Sequence, residues 1–385
     1  MDFRQPMRQA GCRALLILVA SCGALAPAIA AQDDQGAVYT MTNDPGANAV
    51  LAFSRSHDGS LTPAGTFFTG GRGTGGKEPD FGLLNARPLV LNEDNKLLLV
   101  VNPGSDDVSV FAVERDTLRL LDRQSSGGHR PVSVTVHNGL VYVLNAGGSD
   151  GGTDNISGFT VAPSGTLKPL ATSTRPLSAA QTGPAEVRFS RSGAFVAVTE
   201  PFTDKIDMYV VGRDGLLTGP VVNNSGTRTF PIGFDFGMHD ELFVSDDFSD
   251  AIGMGAMSAY LPTADGMLHP VDLAVPAHES GACWVLVSQN GRYVYLANTV
   301  SSAITLYSVN PTTGQISLTA SYPSPTNDTD LDFSRDGRFL YALAPDETGN
   351  NPGINVYAVN PATGALTPLP GVSGLPAAID GIAVR

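Results

Sequence analysis

Apolar and polar residues alternate with a period of two in short runs along most of the chain. The clearest case is Asp328 to Leu369, DTDLDFSRDGRFLYALAPDETGNNPGINVYAVNPATGALTPL. Leu331 and Phe333 alternate there with Asp330 and Asp332 ahead of an Asp336-Gly337 turn. Strands are predicted again over Phe339–Leu343 and Ile354–Val359, and Thr363-Gly364 turns the chain into a fourth near Leu366. Alternation gives each strand one buried face, and Asp-Gly or Thr-Gly supplies the tight turn an antiparallel pair needs. A single meander of this size cannot bury both of its faces, so the pattern has to repeat.

It repeats seven times. The apolar anchor of the first strand recurs at Leu89, Val134, Val187, Phe234, Val285, Leu331 and Ile382, at intervals of 45 to 53 residues. Asn138-Gly139, Ser192-Gly193, Asn290-Gly291 and Asp336-Gly337 follow as turns. The second strand closes on a polar residue at Asn102, Asn145, Glu200, Asp246 and Asn298. A late turn with its apolar follower recurs from Gly59/Leu61 to Gly364/Leu366. Four strands per unit and seven units specify an all-β fold, a seven-bladed β-propeller of four-stranded antiparallel blades.

The ends predict how the ring closes. The repeat opens with a second strand at Ala37 and finishes with a first strand, Ile379 to Val384, so one blade draws on both termini and leaves no open sheet edge. Residues 37–385 therefore read as a single propeller domain. Gly147 to Asp154, Leu177 to Thr182 and Pro276 to Gly281 read as loop insertions, and Gly70 to Gly76 (GGRGTGG) as a further loop. No Lys-Ser/Thr and helix follow that glycine run, which argues against a phosphate-cradling loop.

Ahead of the propeller, residues 1–30 read as a signal peptide. Arg4, Arg8 and Arg13 precede the apolar Ala14 to Ala20, and Ala28-Ile29-Ala30 is a small-x-small cleavage site. Val19-Ala20-Ser21-Cys22 resembles a lipobox, so a lipid anchor on Cys22 is the alternative to simple cleavage. Either places the protein outside the cytoplasm, periplasmic or secreted, with residues 31–36 as a mobile tail. Beyond residue 30 no run approaches the roughly 20 apolar residues of a membrane span. Cys283 is the one cysteine beyond that point, so no internal disulfide is expected, and in an apolar strand it reads as a small buried hydrophobe. A net charge of -14 argues against nucleic acid as a partner.

The units NGRYVYLANTVSSAITLYSVNPTTGQISL and DGRFLYALAPDETGNNPGINVYAVNPATGAL resemble those of the lactonase-type seven-bladed propellers, which include bacterial 6-phosphogluconolactonase and fungal 3-carboxymuconate cyclase. The resemblance runs from Ala37 to Val384 and implies the same architecture. The family's histidine positions fall on Ser133 (in Pro131-Val132-Ser133), Glu186 (in Gly183-Pro184-Ala185-Glu186) and Gly233 (in Pro231-Ile232-Gly233), so its histidines are not retained. Its later acidic position falls on Trp284, and Glu200 stands where the family has an aspartate. Fold carries over on this basis far better than chemistry.

In a propeller the residues just before each anchor converge on the central channel. That column reads Pro88, Ser133, Glu186, Gly233, Trp284, Asp330 and Gly381. Opening a lactone needs a base for water and positive charge or donors for the oxyanion. Glu186 or Glu200 would serve as base, with His129, Arg130 or Arg188 holding the anion. Arg87, Arg130, Ser133, Trp284 and Asp330 would bind the substrate. The remaining histidines, His57, His137, His239 and His269, sit at turns, and His278-Glu279 in a loop. Glu186 and Asp330 with the Asn145 and Asn298 carbonyls are oxygen ligands of the kind Ca²⁺ takes, so a divalent cation is a second option. No cofactor is required by the sequence. The third reading is a monomeric, non-catalytic propeller whose face binds a small molecule or an envelope protein. Strand-end Asn and Asp also have a purely structural use, bonding their own backbone.

Overall fold

The computed structural model describes residues 1–2, 36–76, 87–345 and 351–385. The leader, its Cys22 and Ala30 signals, the tail up to residue 35 and the pair Asp346-Glu347 lie outside the described residues. Residues 34–385 form one compact unit. It is a ring of seven antiparallel sheets, and helix among the described residues amounts to two short 3₁₀ turns, Gly147–Asp150 and Pro201–Thr203.

Blade 1 is built from both termini: its inner strand is Asp380–Val384, and Gly36–Met41, Ala49–Arg55 and Leu61–Phe68 follow outward. Val38 pairs with Val384 and Tyr39 with Ala383. Blades 2 to 7 begin with the inner strands Leu89–Leu91, Pro131–His137, Val187–Phe189, Pro231–Phe236, Ala282–Val287 and Leu331–Phe333. Each then winds outward strand by strand through hairpins. The predicted seven units, blades four strands deep and terminal closure are all present, with the outermost strand of blade 3 split into Leu167–Pro169 and Arg175–Pro176. One expected loop is not: Pro276 to Glu279 continues the outermost strand of blade 5, Leu268–Glu279. Its register shifts against Gly255–Pro262, and left-handed Ala274 and His278 absorb the offsets, so the sequence lost its alternation without losing the strand.

Second strands are buried on both faces, as in Leu97–Asn102, Tyr293–Asn298 and Phe339–Ala344, because a blade packs against a neighbour on each side. Outermost strands alternate or are largely exposed. Tyrosines near the middle of four second strands staple consecutive blades. Tyr39, Tyr142, Tyr295 and Tyr341 donate their hydroxyls to the carbonyls of Arg115, Gly215, Gly364 and Gly59, each in the outer turn of the next blade, at 2.7–2.9 Å.

Inner strands present the free edge of each sheet, and its N–H groups need acceptors. Neighbouring blades supply them. Ser133 and Thr135 of blade 3 accept from Val187 and Phe189 N–H of blade 4 at 3.2 and 3.0 Å. Glu186 accepts from Phe234 of blade 5 at 2.9 Å, and Asp235 of that blade from Val287 of blade 6 at 2.9 Å. Asp330 and Asp332 of blade 7 accept from Ile382 and Val384, at 3.1 and 2.8 Å, and so bind the closing strand.

At blade 5 the ring has Gly233, and the reason is steric. A Cβ there would lie 2.5 Å from the Cys283 carbonyl oxygen and 2.7 Å from Cε3 of Trp284. The indole, 2% exposed, takes the space a side chain would need. Gly233→Ala should therefore lower unfolding free energy by about 1–3 kcal/mol, the usual cost of overpacking a close-packed site. Chemical denaturation measures it, and an unchanged midpoint would show that the indole moves aside freely.

Candidate functional site

The inner strands bring six charged side chains of distant sequence position to the channel. Arg87 sits at the entrance to the inner strand of blade 2 in a left-handed conformation (φ 57°). Its Nε lies 3.3 Å from Oε1 of Glu186, and its backbone N–H donates to Oδ2 of Asp330 at 3.3 Å. Two residues along the strand from Glu186, Arg188 lies 3.0 Å from Asp235 and 3.8 Å from the same Glu186 Oε1. Asp332 completes the belt. Glu186 and Arg188 alternate with Val187, so both project from one side, while Val187 and Phe189 of the same short strand face the core.

Burial decides the protonation of this belt. Glu186 is 1% exposed, and loss of solvent pushes its carboxyl up to about 7 against the pull of Arg87, Arg188 and the Phe234 N–H. Burial likewise raises Asp332 to about 6 and raises Asp330, with Arg87 opposing in both. Burial disfavours the charged form of Arg87, but Asp330 and Glu186 outweigh it and hold the guanidinium charged. For Arg188 burial wins and lowers the pKa. Glu186 has one oxygen committed to Phe234, while Oε1 takes no hydrogen bond; Nη1 of Arg188 donates none either. Both oxygens of Asp332, by contrast, accept backbone N–H groups, from Phe333 and Val384.

A cavity of about 360 Å³ opens at the channel mouth on the face of the inner-hairpin turns. Arg87, Arg188, Asp235 and Asp332 line it, with Glu93 and His137 nearer the rim. Glu186 lies behind the guanidiniums rather than on the cavity wall. His137 read as a surface turn residue from sequence; it reaches this wall because it ends an inner strand, half-buried against Phe189, with their ring centroids 5.7 Å apart.

The other expected site residues do not join this cluster. His129 and Arg130 sit on the opposite face, at the entrance to blade 3. His129 Nδ1 lies 3.1 Å from Asp106, and the Arg130 Nε donates to the Ala146 carbonyl at 2.9 Å. They border a separate pocket of about 390 Å³ with Thr74, Pro103 and Asp150. Ser133 is buried as the acceptor for Val187, and Trp284 packs against Gly233. Asn298 spends its amide within its own blade, on Thr305 at 2.9 Å, and Asn145 on Asn155 at 3.1 Å. Among the described residues no group of three or more His, Cys, Asp or Glu could hold a metal ion.

Glu200 is fully buried and belongs to a structural series. Asn102 donates to Ser109 at 2.8 Å, and Asn298 to Thr305, each seven residues on. In blade 4 that spacing pairs Glu200 with Asp207. Glu200 accepts from Ser178 N–H at 2.8 Å and from Thr203 Oγ1 at 2.6 Å. Neither oxygen of Asp207 takes a hydrogen bond. Burial first, and then the Glu200 carboxyl, push Asp207 to about 9. The sequence signal for this was the shared seven-residue spacing. Because the folded pKa exceeds the unfolded one, Asp207's contribution is complete below the ordinary carboxylate range and is lost progressively as pH rises to about 9. Asp207→Asn should thus gain stability over the parent as pH rises from 5 to 9, read as a widening difference in Tm; a constant difference would place the proton elsewhere.

Comparison with known proteins agrees with this architecture. A family profile described as "Lactonase, 7-bladed beta-propeller" matches residues 269–378. The chain is 26% identical over 320 residues to a 6-phosphogluconolactonase of Bacillus subtilis, covering 76% of this chain and 85% of that protein. Among solved structures it is similar to one from Bacteroides uniformis, provisionally described as a 6-phosphogluconolactonase (TM-score 0.72, 20% identity, covering 92% of this chain and all of the other). It is also similar to a periplasmic gluconolactonase of Pseudomonas aeruginosa (TM-score 0.71, 15% identity, 91% and 98% covered). At these identities the structural likenesses speak to fold alone.

Proposed function

Because this chain is a lactonase-type seven-bladed β-propeller, we propose that it opens a lactone ring by hydrolysis in the central channel. The observation that carries the reading is the buried Glu186 carboxyl, raised to about 7, with its uncommitted Oε1 held between two guanidiniums at 3.3 and 3.8 Å. A water admitted between Arg87 and Arg188, behind which Glu186 lies, gives its proton to Oε1. The hydroxide adds to the lactone carbonyl, and Arg87 and Arg188 hold the negative charge that develops on the carbonyl oxygen. Collapse of the tetrahedral intermediate breaks the ring C–O bond, and the proton on Glu186 passes to the departing ring oxygen, giving a hydroxy acid. Glu186 suits the base role better than Asp332 because both oxygens of Asp332 are tied to backbone N–H groups.

A panel of sugar and aryl lactones, followed against the spontaneous rate, tests this. Glu186→Gln keeps an oxygen for the Phe234 N–H and should cost roughly 10²–10⁴-fold in rate, the range for a general base. Activity untouched by the substitution would remove Glu186 from the chemistry. A base must be ionised to act, so kcat/KM should climb with pH through an inflection near 7.

A second reading is favoured by one observation: every acid of the belt also caps an inner-edge N–H, so the belt has a use in a propeller that catalyses nothing. Binding without turnover across the panel would select it. In either case the leader signals support export, with removal of residues 1–30 or lipid attachment at Cys22. Mass spectrometry of the protein from the producing cell should show an N-terminus at Ala31 or a lipidated Cys22; an intact Met1 end would refute export by this leader.

A further inference from the structure

We infer that the channel site takes an uncharged lactone and discriminates against one carrying a phosphate group. This rests on the lactonase reading and adds the substrate class. The similar Bacillus subtilis protein is named for a phosphorylated substrate, but the charges on this chain's channel wall do not suit one.

A phosphate site needs positive charge not already spent, a guanidinium fork free to close on the oxygens, or a run of free backbone N–H groups at a helix start. Inside the channel the described residues offer none of these in surplus; the two guanidiniums without a carboxylate partner, Arg191 and Arg335, are exposed at the rim. Arg87 is committed to Glu186 and to the Asp330 charge. Arg188 is committed to Asp235 at 3.0 Å and leans on Glu186. At the rim Arg191 gives its Nε to the Phe236 carbonyl at 3.1 Å, and Glu93 stands on the same wall. Arg335 borders the adjoining cavity, exposed to solvent, where a lone surface cation is screened and attracts weakly. The two mouth cavities and the carboxyls behind them thus set four guanidinium groups against five carboxyl groups.

Inner-edge N–H groups, which in another propeller could cradle an anion, are taken by carboxylates of the neighbouring blade in blades 5, 6 and 1 and by hydroxyls in blade 4. A phosphate would have to displace an acid from a guanidinium or from a backbone N–H, leaving a carboxylate buried without its partner. A neutral lactone breaks no pair. Its carbonyl needs two donors only while charge develops on the oxygen, and Nη1 of Arg188 has no other hydrogen bond to give up. Leu286 and Val287 of blade 6 offer an apolar side for the ring.

The test uses the full chain with D-glucono-1,5-lactone and its 6-phosphate ester, each corrected for uncatalysed opening. The uncharged lactone should show a kcat/KM at least ~10-fold higher, the order expected from one uncompensated charge near a partly buried site. Added salt should narrow the gap, and Glu93→Lys, which places a cation at the rim, should narrow the ratio of the two kcat/KM values by several fold. Equal or faster opening of the phosphate ester overturns the inference while leaving the lactonase reading intact. Should neither ester nor parent be opened, the lactonase reading falls. Calorimetric titration with D-gluconate 6-phosphate and with the neutral D-glucono-1,5-lactam then decides the charge preference. Tighter binding of the lactam supports it, and tighter binding of the phosphate overturns it.

Discussion

A propeller ring ends, at its centre, in seven free sheet edges facing one another across a narrow channel. Their N–H groups are buried, and an unpaired buried donor costs on the order of 1–3 kcal/mol. At the edges of blades 4, 5, 6 and 1 the cost is avoided with side chains from the preceding blade, hydroxyls on blade 3 and carboxylates on blades 4, 5 and 7. Much else in the channel follows from that choice. Carboxylates satisfy the edge but bring buried negative charge, and buried charge has to be paired or protonated. Arg87 and Arg188 supply the pairing, and the raised pKa values of Glu186, Asp330 and Asp332 show the residue of the problem. The chemistry proposed for this protein is therefore drawn from groups that the fold needs for its own closure.

How far the sequence could be read follows from the range over which each signal acts. Period-two alternation, Asp-Gly and Asn-Gly turns and the recurring Gly-x-Leu are local, and they fixed the blade count, the order of strands and the closure through Asp380–Val384. The lost alternation around Ala274 and His278 hid the end of a strand for an equally local reason. Ion pairs of the channel join blades 2, 4, 5 and 7, and no spacing rule connects Arg87 to Glu186. Glu186, Arg87, Arg188 and Asp330 could be named as candidates because their positions converge; their partners could not. His129 failed to join them because its turn carries it to the opposite face, where Asp106 holds it.

Two signals were present but needed the comparison of one blade with another. Tyrosines of the second strands line up as inter-blade staples only when the carbonyl they reach is seen to be the same turn of the next blade. Glu200 looked like a retained family acid, yet it occupies the place that Asn102 and Asn298 hold in the Asn102–Ser109 and Asn298–Thr305 pairs. An amide facing a hydroxyl there is neutral; two buried carboxyls side by side hold a proton, which ties the stability of one blade to pH.

The departures at Gly233 and Trp284 can be understood together. An indole at Trp284 brings no charge to the axis, and it fits because the facing residue of blade 5 has no side chain. Charge on the belt is then confined to blades 2, 4, 5 and 7, while blade 6 contributes Leu286 and Val287 to the wall and buries Trp284 against Gly233. A channel so divided has a polar half able to handle a carbonyl and an apolar half able to meet the flat of a ring. A symmetric ring of charges would give neither, since each cation would be saturated from every side. On the proposed lactonase reading, breaking the seven-fold repeat at these positions gives a closure device the direction a lactone site needs.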